Sequence, residues 1–160
     1  MKQTLRFVPL ILAIAAFSLY PVPPAGALDL LVSGTWTFPS GSGLWTSPKP
    51  TLESAPGSAA LHVVNARGTD DPWRVEVRLQ GPPLPEGITL WVRRSGSGQG
   101  SGWIRDGLAF QPVGESPLSF LSGTGDRMQV PLQLKITGIT PRTPAGTVRA
   151  SLIFSVVSLR

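Results

Sequence analysis

The residues that could carry out acid–base or nucleophilic chemistry are few in this chain. His62 is the single histidine, and the sequence contains no cysteine. A catalytic pair needs a nucleophile beside a base that a third group orients, and no Gly-x-Ser-x-Gly elbow is present. A lone histidine in a strand-like segment is more often a surface or satisfied core residue than a base. The sequence therefore favours a non-enzymatic protein with no catalytic residue.

Two further segments have compositions that occur in ligand sites. Asp70 and Asp71 are adjacent acids before Pro72, and residues 95–102 form a glycine-rich loop. Calcium loops supply several oxygen ligands at fixed spacing, which this sequence lacks, so the acids are predicted to form a turn. A phosphate-binding loop leads into a helix, whereas Trp103 follows here, so a flexible hairpin tip is predicted. We expect no metal and no other cofactor.

The tryptophans are the main candidates for a binding surface. Trp73 lies on the apolar face of residues 73–79, whose other face is charged, and it is therefore predicted to lie in the core. Trp91 falls on the polar face of its segment, and Trp45 and Trp103 lie in or beside Gly/Ser-rich loops. Exposed tryptophans stack on sugar rings and anchor protein partners, and ordinary packing against loops is the alternative. Trp45, Trp91 and Trp103 are therefore the candidate contacts to a partner or a glycan.

The N-terminal residues have the parts of a secretory signal. Lys2 and Arg6 precede an apolar run over residues 7–19, and a small-x-small cleavage site ends at Ala27. The apolar run is shorter than the ~20 residues that cross a bilayer, and a proline cluster follows it. We predict a signal peptide over residues 1–27 and no membrane span after its cleavage. Export would place the protein in the periplasm, at the cell surface or outside the cell.

The charge of the chain does not indicate a nucleic-acid partner. The sequence has 14 Lys+Arg and 9 Asp+Glu, and loss of Lys2 and Arg6 with the signal leaves 12 minus 9, or +3. Nucleic-acid binding needs a dense basic patch, whereas these arginines are spread over many segments. The absence of cysteine also means that the core, without disulfides, must stabilise the fold.

Glycine and proline divide the chain into short segments that alternate apolar and polar residues, as half-buried strands do. The predicted strands are residues 73–79, 128–136 and 148–156, with weaker ones at 28–38, 59–66, 88–94 and 103–110. In the second of these, Met128 and Val130 are predicted to share the inner face, and Pro131 indicates an edge strand or a bulge. The pattern predicts an all-β, immunoglobulin-like antiparallel sandwich of six to eight strands, forming a single domain over residues 28–160.

The C-terminal quarter resembles a group of bacterial surface proteins. Residues 139–156, ITPRTPAGTVRASLIFSV, contain a Pro-Ala-Gly-Thr turn that leads into a long alternating strand, and residues 123–134 precede it in the same arrangement. This ending is similar to that of spore-coat-protein-U-like domains, fimbrial subunits and some cell-wall-associated domains. The resemblance implies a secreted structural or adhesive β-sandwich.

Two functions follow as hypotheses. The first is a non-enzymatic secreted or surface module that works with a protein partner or a cell-envelope component, in an adhesion- or fimbria-like role. The alternative is a carbohydrate- or cell-wall-binding module that uses these tryptophans, for which two of them should lie coplanar on one solvated face. Residues 28–38 could pair within their own chain or insert into a neighbouring copy, and we predict pairing within the chain.

Overall fold

In this computed structural model, the structure describes residues 11–17, 28–38, 51–140 and 147–160, with the backbone alone at residues 11–17 and 147–149. The described residues contain no helix, and therefore none that is long and apolar enough to span a membrane. In chain order the strands are β1 (Ile11–Phe17), β2 (Asp29–Gly34), β3 (Leu52–Glu53), β4 (Ala59–Val64), β5 (Pro72–Gln80), β6 (Thr89–Arg94), β7 (Ile104–Arg105), β8 (Gln111–Val113), β9 (Leu118–Thr124), β10 (Arg127–Thr137) and β11 (Thr147–Ser158).

The strands form two sheets, which we name after their central strands. The β5 sheet has the order β1-β11-β5-β9-β7. The β10 sheet has the order β2-β4-β10-β6-β8, with the short β3 also beside β10. Every strand pair is antiparallel except β1 with β11, which is parallel. Neighbours in the sequence often lie in different sheets, so the chain crosses between the two layers repeatedly.

One hydrophobic core takes side chains from both sheets, which confirms the predicted all-β, sandwich-like architecture. Val75 and Val77 of the β5 sheet and Leu61 and Leu132 of the β10 sheet are all fully buried in the same cluster. On β5 the intervening charged residues are half-buried on the outer face. The alternation predicted for residues 73–79 is therefore confirmed, because a period of two is the local geometry of a strand.

A bulge in β10 corrects the prediction for Met128. The pairing with β4 shifts between Arg127 and Val130, and Gln129 has a φ of 54°. The extra residue reverses the alternation at this point, so Met128 is 49% exposed while Val130 is buried. β10 is a central strand, and so of the two alternatives predicted from Pro131 the structure has the bulge and not the edge.

A second bulge explains why β9 is absent from the predicted strands. The pairing of β5 with β9 shifts between Val75 and Glu76, which leaves Phe120 as the extra residue. Phe120 and Leu121 are consequently both buried, although they are adjacent in the sequence. The Phe120 ring packs edge-on against Phe154 with 6.3 Å between centroids. Two consecutive inward side chains break the period of two, so alternation cannot identify this strand.

The glycine-rich loop at residues 95–102 is attached to β10 and is not the free hairpin tip predicted from its composition. Gln99 and Met128 exchange two backbone hydrogen bonds of 2.7 Å, and the Ser95 N–H donates to the Pro131 carbonyl at 2.8 Å. The loop therefore extends the hydrogen bonding of β10 past its bulge.

The N-terminal strands pair within the chain. β2 pairs antiparallel with β4, as predicted for residues 28–38, and Leu30 and Val32 pack against the core. β1 falls inside the predicted signal peptide and pairs with β11 from Thr147 to Ile153. Since β5 pairs with β11 only from Ser151 onward, residues 147–150 have β1 as their strand partner. Removal of residues 1–27 would leave this edge of β11 open. The cleavage site at Ala27 lies outside the described residues.

Candidate functional site

The outer face of the β10 sheet gathers aromatic, cationic and hydroxyl side chains. The backbone register of β6 and β10 produces three cross-strand pairs on this face: Arg93–Gln133, Trp91–Lys135 and Thr89–Thr137. Pro112 of β8 lies opposite Trp91 on its other side. Successive pairs are ~7 Å apart along the strands, so the row extends over ~14 Å. We call this row, together with Phe110, the Trp91 face.

Two cations on the Trp91 face lie over aromatic rings. Lys135 Nζ is 4.8 Å from the Trp91 ring centroid and 4.2 Å from that of Phe110. Arg93 Cζ is 4.4 Å from the Phe110 centroid. Each such contact is worth about 0.5–1 kcal/mol at an exposed site, and all four side chains are half-buried. The contacts hold the cations near the surface without neutralising their charge.

Hydrogen bonds fix the orientation of the two larger side chains. The Trp91 Nε1–H donates to Thr137 Oγ1 at 2.9 Å, and Arg93 Nε donates to Gln133 Oε1 at 2.9 Å. Gln133 is itself buried, and its Nε2 donates to the Ser54 carbonyl at 2.8 Å. Gln133 therefore positions Arg93 by connecting it to the backbone directly after β3.

The two cations of the Trp91 face form no ion pair with a carboxylate of the described residues. The ion pairs among the residues that the structure describes include Arg74–Glu76 and Asp71–Arg160, and neither Arg93 nor Lys135 takes part in one. Glu53 lies opposite Lys135 in the β3–β10 pairing, but its carboxylate accepts a hydrogen bond from Gln133 at 3.4 Å. Arg93 and Lys135 can therefore receive an external anion.

The structure does not bring the three predicted tryptophans together. Trp91 lies on the β10 sheet, whereas Trp103 directly precedes β7 at the edge of the β5 sheet and is 41% exposed. Arg105 Cζ is 4.6 Å from the Trp103 ring centroid, so this tryptophan also has a cation over it. Trp45 lies outside the described residues. Sequence reasoning missed Phe110 and Lys135, which come from distant segments. Arg93 could have been found from the sequence, because it lies two residues after Trp91 and therefore on the same face of the strand.

His62 forms a pair with Ser33 whose geometry does not suit nucleophilic catalysis. His62 Nε2 is 3.1 Å from Ser33 Oγ, and the Gln129 backbone N–H donates to His62 Nδ1 at 3.4 Å. An accepting Nδ1 assigns the proton of the neutral ring to Nε2, which then donates to the serine and cannot take its proton. His62 instead links β2 to the bulge of β10.

Asp71 forms a turn, as predicted from the adjacent acids, and also anchors the last residue of the sequence. Its Oδ2 accepts the Arg67 backbone N–H at 3.0 Å, and its Oδ1 accepts Arg160 Nε at 2.5 Å. The Arg160 hydrogen bond, followed by that from Arg67, lowers the pKa of Asp71 below its usual value. Within the described ranges, no three acidic or histidine side chains cluster as metal ligands would.

This carboxylate predicts a pH-dependent contribution to stability. A lowered pKa in the folded state stabilises the protein above the unfolded pKa, ~3.9, and this contribution is lost as the pH falls through the folded value. Asp71→Asn should therefore lower the Tm at pH 7, and the gap to the wild type should narrow below pH 4. Thermal unfolding from pH 7 to pH 2 measures this gap. Asp70→Asn is the control and should follow the wild type; a gap that persists unchanged at low pH would contradict the assignment.

Two buried arginines attach the glycine-rich loop and do not form an open anion site. Arg94 is 4% exposed, and its Nε and Nη1 donate to the carbonyls of Asp106 at 2.5 Å and Gly96 at 3.2 Å. Burial lowers the pKa of Arg94, and nearby Arg127 acts in the same direction. Arg127 donates to the Gly102 carbonyl. Because their bonded donors are directed mainly to backbone carbonyls of residues 96–106, these guanidinium groups stabilise the loop and the segment that follows it.

Comparison of the chain with protein-family models, with curated proteins and with solved structures finds no match.

Proposed function

We propose that this protein is an exported, non-enzymatic module that binds a component of the cell envelope through the Trp91 face. The fold that presents this face is proposed to be an immunoglobulin-like sandwich. The observation that carries the proposal is the charge of the face: Arg93 and Lys135 lie over aromatic rings, and neither forms an ion pair with a carboxylate of the described chain. Aromatic and arginine side chains in such a row are typical of binding surfaces.

The chemistry of the polar groups supports a binding role over catalysis. His62 is engaged by Ser33 and by the β10 backbone, and Asp71 is engaged by Arg67 and Arg160. Each of these groups is satisfied within the fold, whereas a catalytic set converges on a space that a substrate can occupy. The cations of the Trp91 face differ from His62 and Asp71, because they contact aromatic rings and a neutral amide and so keep a charge that a ligand can bind.

A second candidate function is assembly through strand pairing at β11. Residues 147–150 have β1 as their strand partner, so removal of a cleaved leader would expose unpaired N–H and C=O groups there. The resemblance of residues 139–156 to bacterial surface β-sandwiches favours the same function. An open edge of this kind accepts an extended strand from another chain.

Fractionation of a bacterial host that produces the full chain tests the proposal. We expect the protein in the envelope fraction, with an N-terminus at Leu28, and we expect Trp91→Ala with Lys135→Gln to release it into the soluble exported fraction. Trp103→Ala with Arg105→Gln is the matched control and should stay bound. Intact Met1 on exported material would contradict cleavage. Release by Val148→Pro, and not by the Trp91-face variant, would replace the proposal with strand assembly.

A further inference from the structure

We propose that the ligand of the Trp91 face is an acidic polysaccharide, a glycan chain whose sugar units carry carboxylates. This inference rests on the proposed function and names the ligand class of the same site. The face combines two cations with two aromatic rings, and it is bordered by the hydroxyl groups of Thr89 and Thr137.

The acidic character follows from the cations. The backbone positions of Arg93 and Lys135 are diagonal neighbours, about 7–8 Å apart in an antiparallel sheet, and both charged groups lie over the Phe110 ring. Arg93 uses Nε to reach Gln133, and its Nη groups donate to no residue that the structure describes. A guanidinium edge is well suited to a carboxylate, and an ammonium group adds a point charge. Two neighbouring positive groups suit a ligand that carries more than one negative charge.

The partly exposed aromatic rings and the fully paired strands of this face favour a sugar ligand over a peptide. Trp91 and Phe110 are half-buried and so expose part of their surface, on which the C–H face of a sugar ring can pack. β6 is paired on both sides, with β10 and β8, and β10 is likewise paired on both sides. A peptide therefore cannot add as a strand in the middle of this face, and side chains alone are available for contact.

The extended shape of the ligand follows from the row. The three cross-strand pairs span ~14 Å, which suits a chain of linked units better than one compact anion. Two cations are too few for the dense basic patch that nucleic acid requires. Trp103 likewise has a cation over its ring, with Arg105 Cζ 4.6 Å from the centroid, but no second ring or cation is in contact with it among the described residues. It is therefore a natural control.

Binding of the full chain to polygalacturonate, followed by isothermal titration calorimetry, tests the proposal. The fully methyl-esterified polymer has the same sugar backbone without the charge, and polyglutamate has the charge without the sugar. We expect binding to polygalacturonate that weakens with added salt, and at least tenfold weaker binding to the other two polymers. Arg93→Gln with Lys135→Gln, and separately Trp91→Ala, should weaken binding to polygalacturonate at least tenfold. Trp103→Ala with Arg105→Gln should leave it unchanged, and Tm values verify that each variant is folded.

Three results would overturn the inference. Equal binding to the esterified polymer indicates a neutral-glycan site, equal binding to polyglutamate indicates an acidic-peptide site, and equal losses in the Trp103 control place binding elsewhere. Absence of polygalacturonate binding, while the envelope fractionation still depends on Trp91 and Lys135, rejects the ligand class and leaves the proposed function standing. Loss of both results rejects the proposed function as well.

Discussion

Val77→Asp should remove most of the stability of the fold, whereas Arg78→Asp should change it little. Val77 is fully buried in the centre of β5, with Phe154 opposite it on β11 and Leu118 opposite it on β9. An aspartate there places a carboxylate among apolar side chains with no partner, and it must either stay charged at high cost or bind a proton. Substitutions of this type cost about 4 kcal/mol or more, out of a total of about 5–15 kcal/mol for a domain.

Urea unfolding of the two full-length variants measures the difference. Arg78 is the adjacent residue on the same strand, and its side chain lies half-exposed on the outer face, so Arg78→Asp introduces the same carboxylate into water. We expect a shift of about 0.5 kcal/mol or less for Arg78→Asp. If the two midpoints coincide, the inward direction of Val77 is wrong and the register of β5 with its neighbours is wrong with it.

These two residues also show what the sequence can predict. The orientation of Val77 depends only on the alternation along one strand, which is a local property. Met128 has the same apparent alternation, but the αL residue Gln129 reverses it, because the loop at Gln99 and the ring of His62 engage the bulged backbone. Those contacts come from segments far away in the sequence. Alternation therefore predicts strands well and fails at bulges, as it does again at Phe120 in β9.

The candidate site likewise contains one residue that the sequence predicts and others that depend on strand pairing. Trp91 is predictable as an outward residue because it alternates with apolar residues in β6 and shares a face with Thr89 and Arg93. Lys135 is not, since its place beside Trp91 depends on the register between β6 and β10, which only the folded sheet specifies. Phe110 precedes β8 and reaches the face through the pairing of β8 with β6. A sequence can thus indicate one member of a surface row, while the row itself is a product of strand pairing.

The glycine-rich loop gives the second large effect, because its glycines are required by close backbone contacts. Gly100 has a φ of 142°, and a Cβ on it would overlap the Asp126 carbonyl at the start of the β10 bulge. Gly98, with a φ of 66°, would meet the Met128 carbonyl in the same way. We expect Gly100→Ala to cost at least about 2 kcal/mol, since the side chain adds backbone strain and must also displace β10. A flexible tip, which the composition alone predicts, would tolerate the same substitution.

Gly114→Ala is the matched control for this prediction. No atom lies within 4 Å of the Cβ that it would add, so the change should be neutral or slightly stabilising. Hydrogen exchange adds a local readout, because the amides of Gln99 and Met128 are bonded to each other's carbonyls and should be protected in the wild type. In Gly100→Ala we expect this protection to decrease while that of the β5 amides changes less. Two results together would show that the loop is free. The amides of Gln99 and Met128 would be unprotected in the wild type, and Gly100→Ala would be as stable as Gly114→Ala. In that case the bulge of β10, and with it the position of His62, would need another cause than the loop that pairs with it.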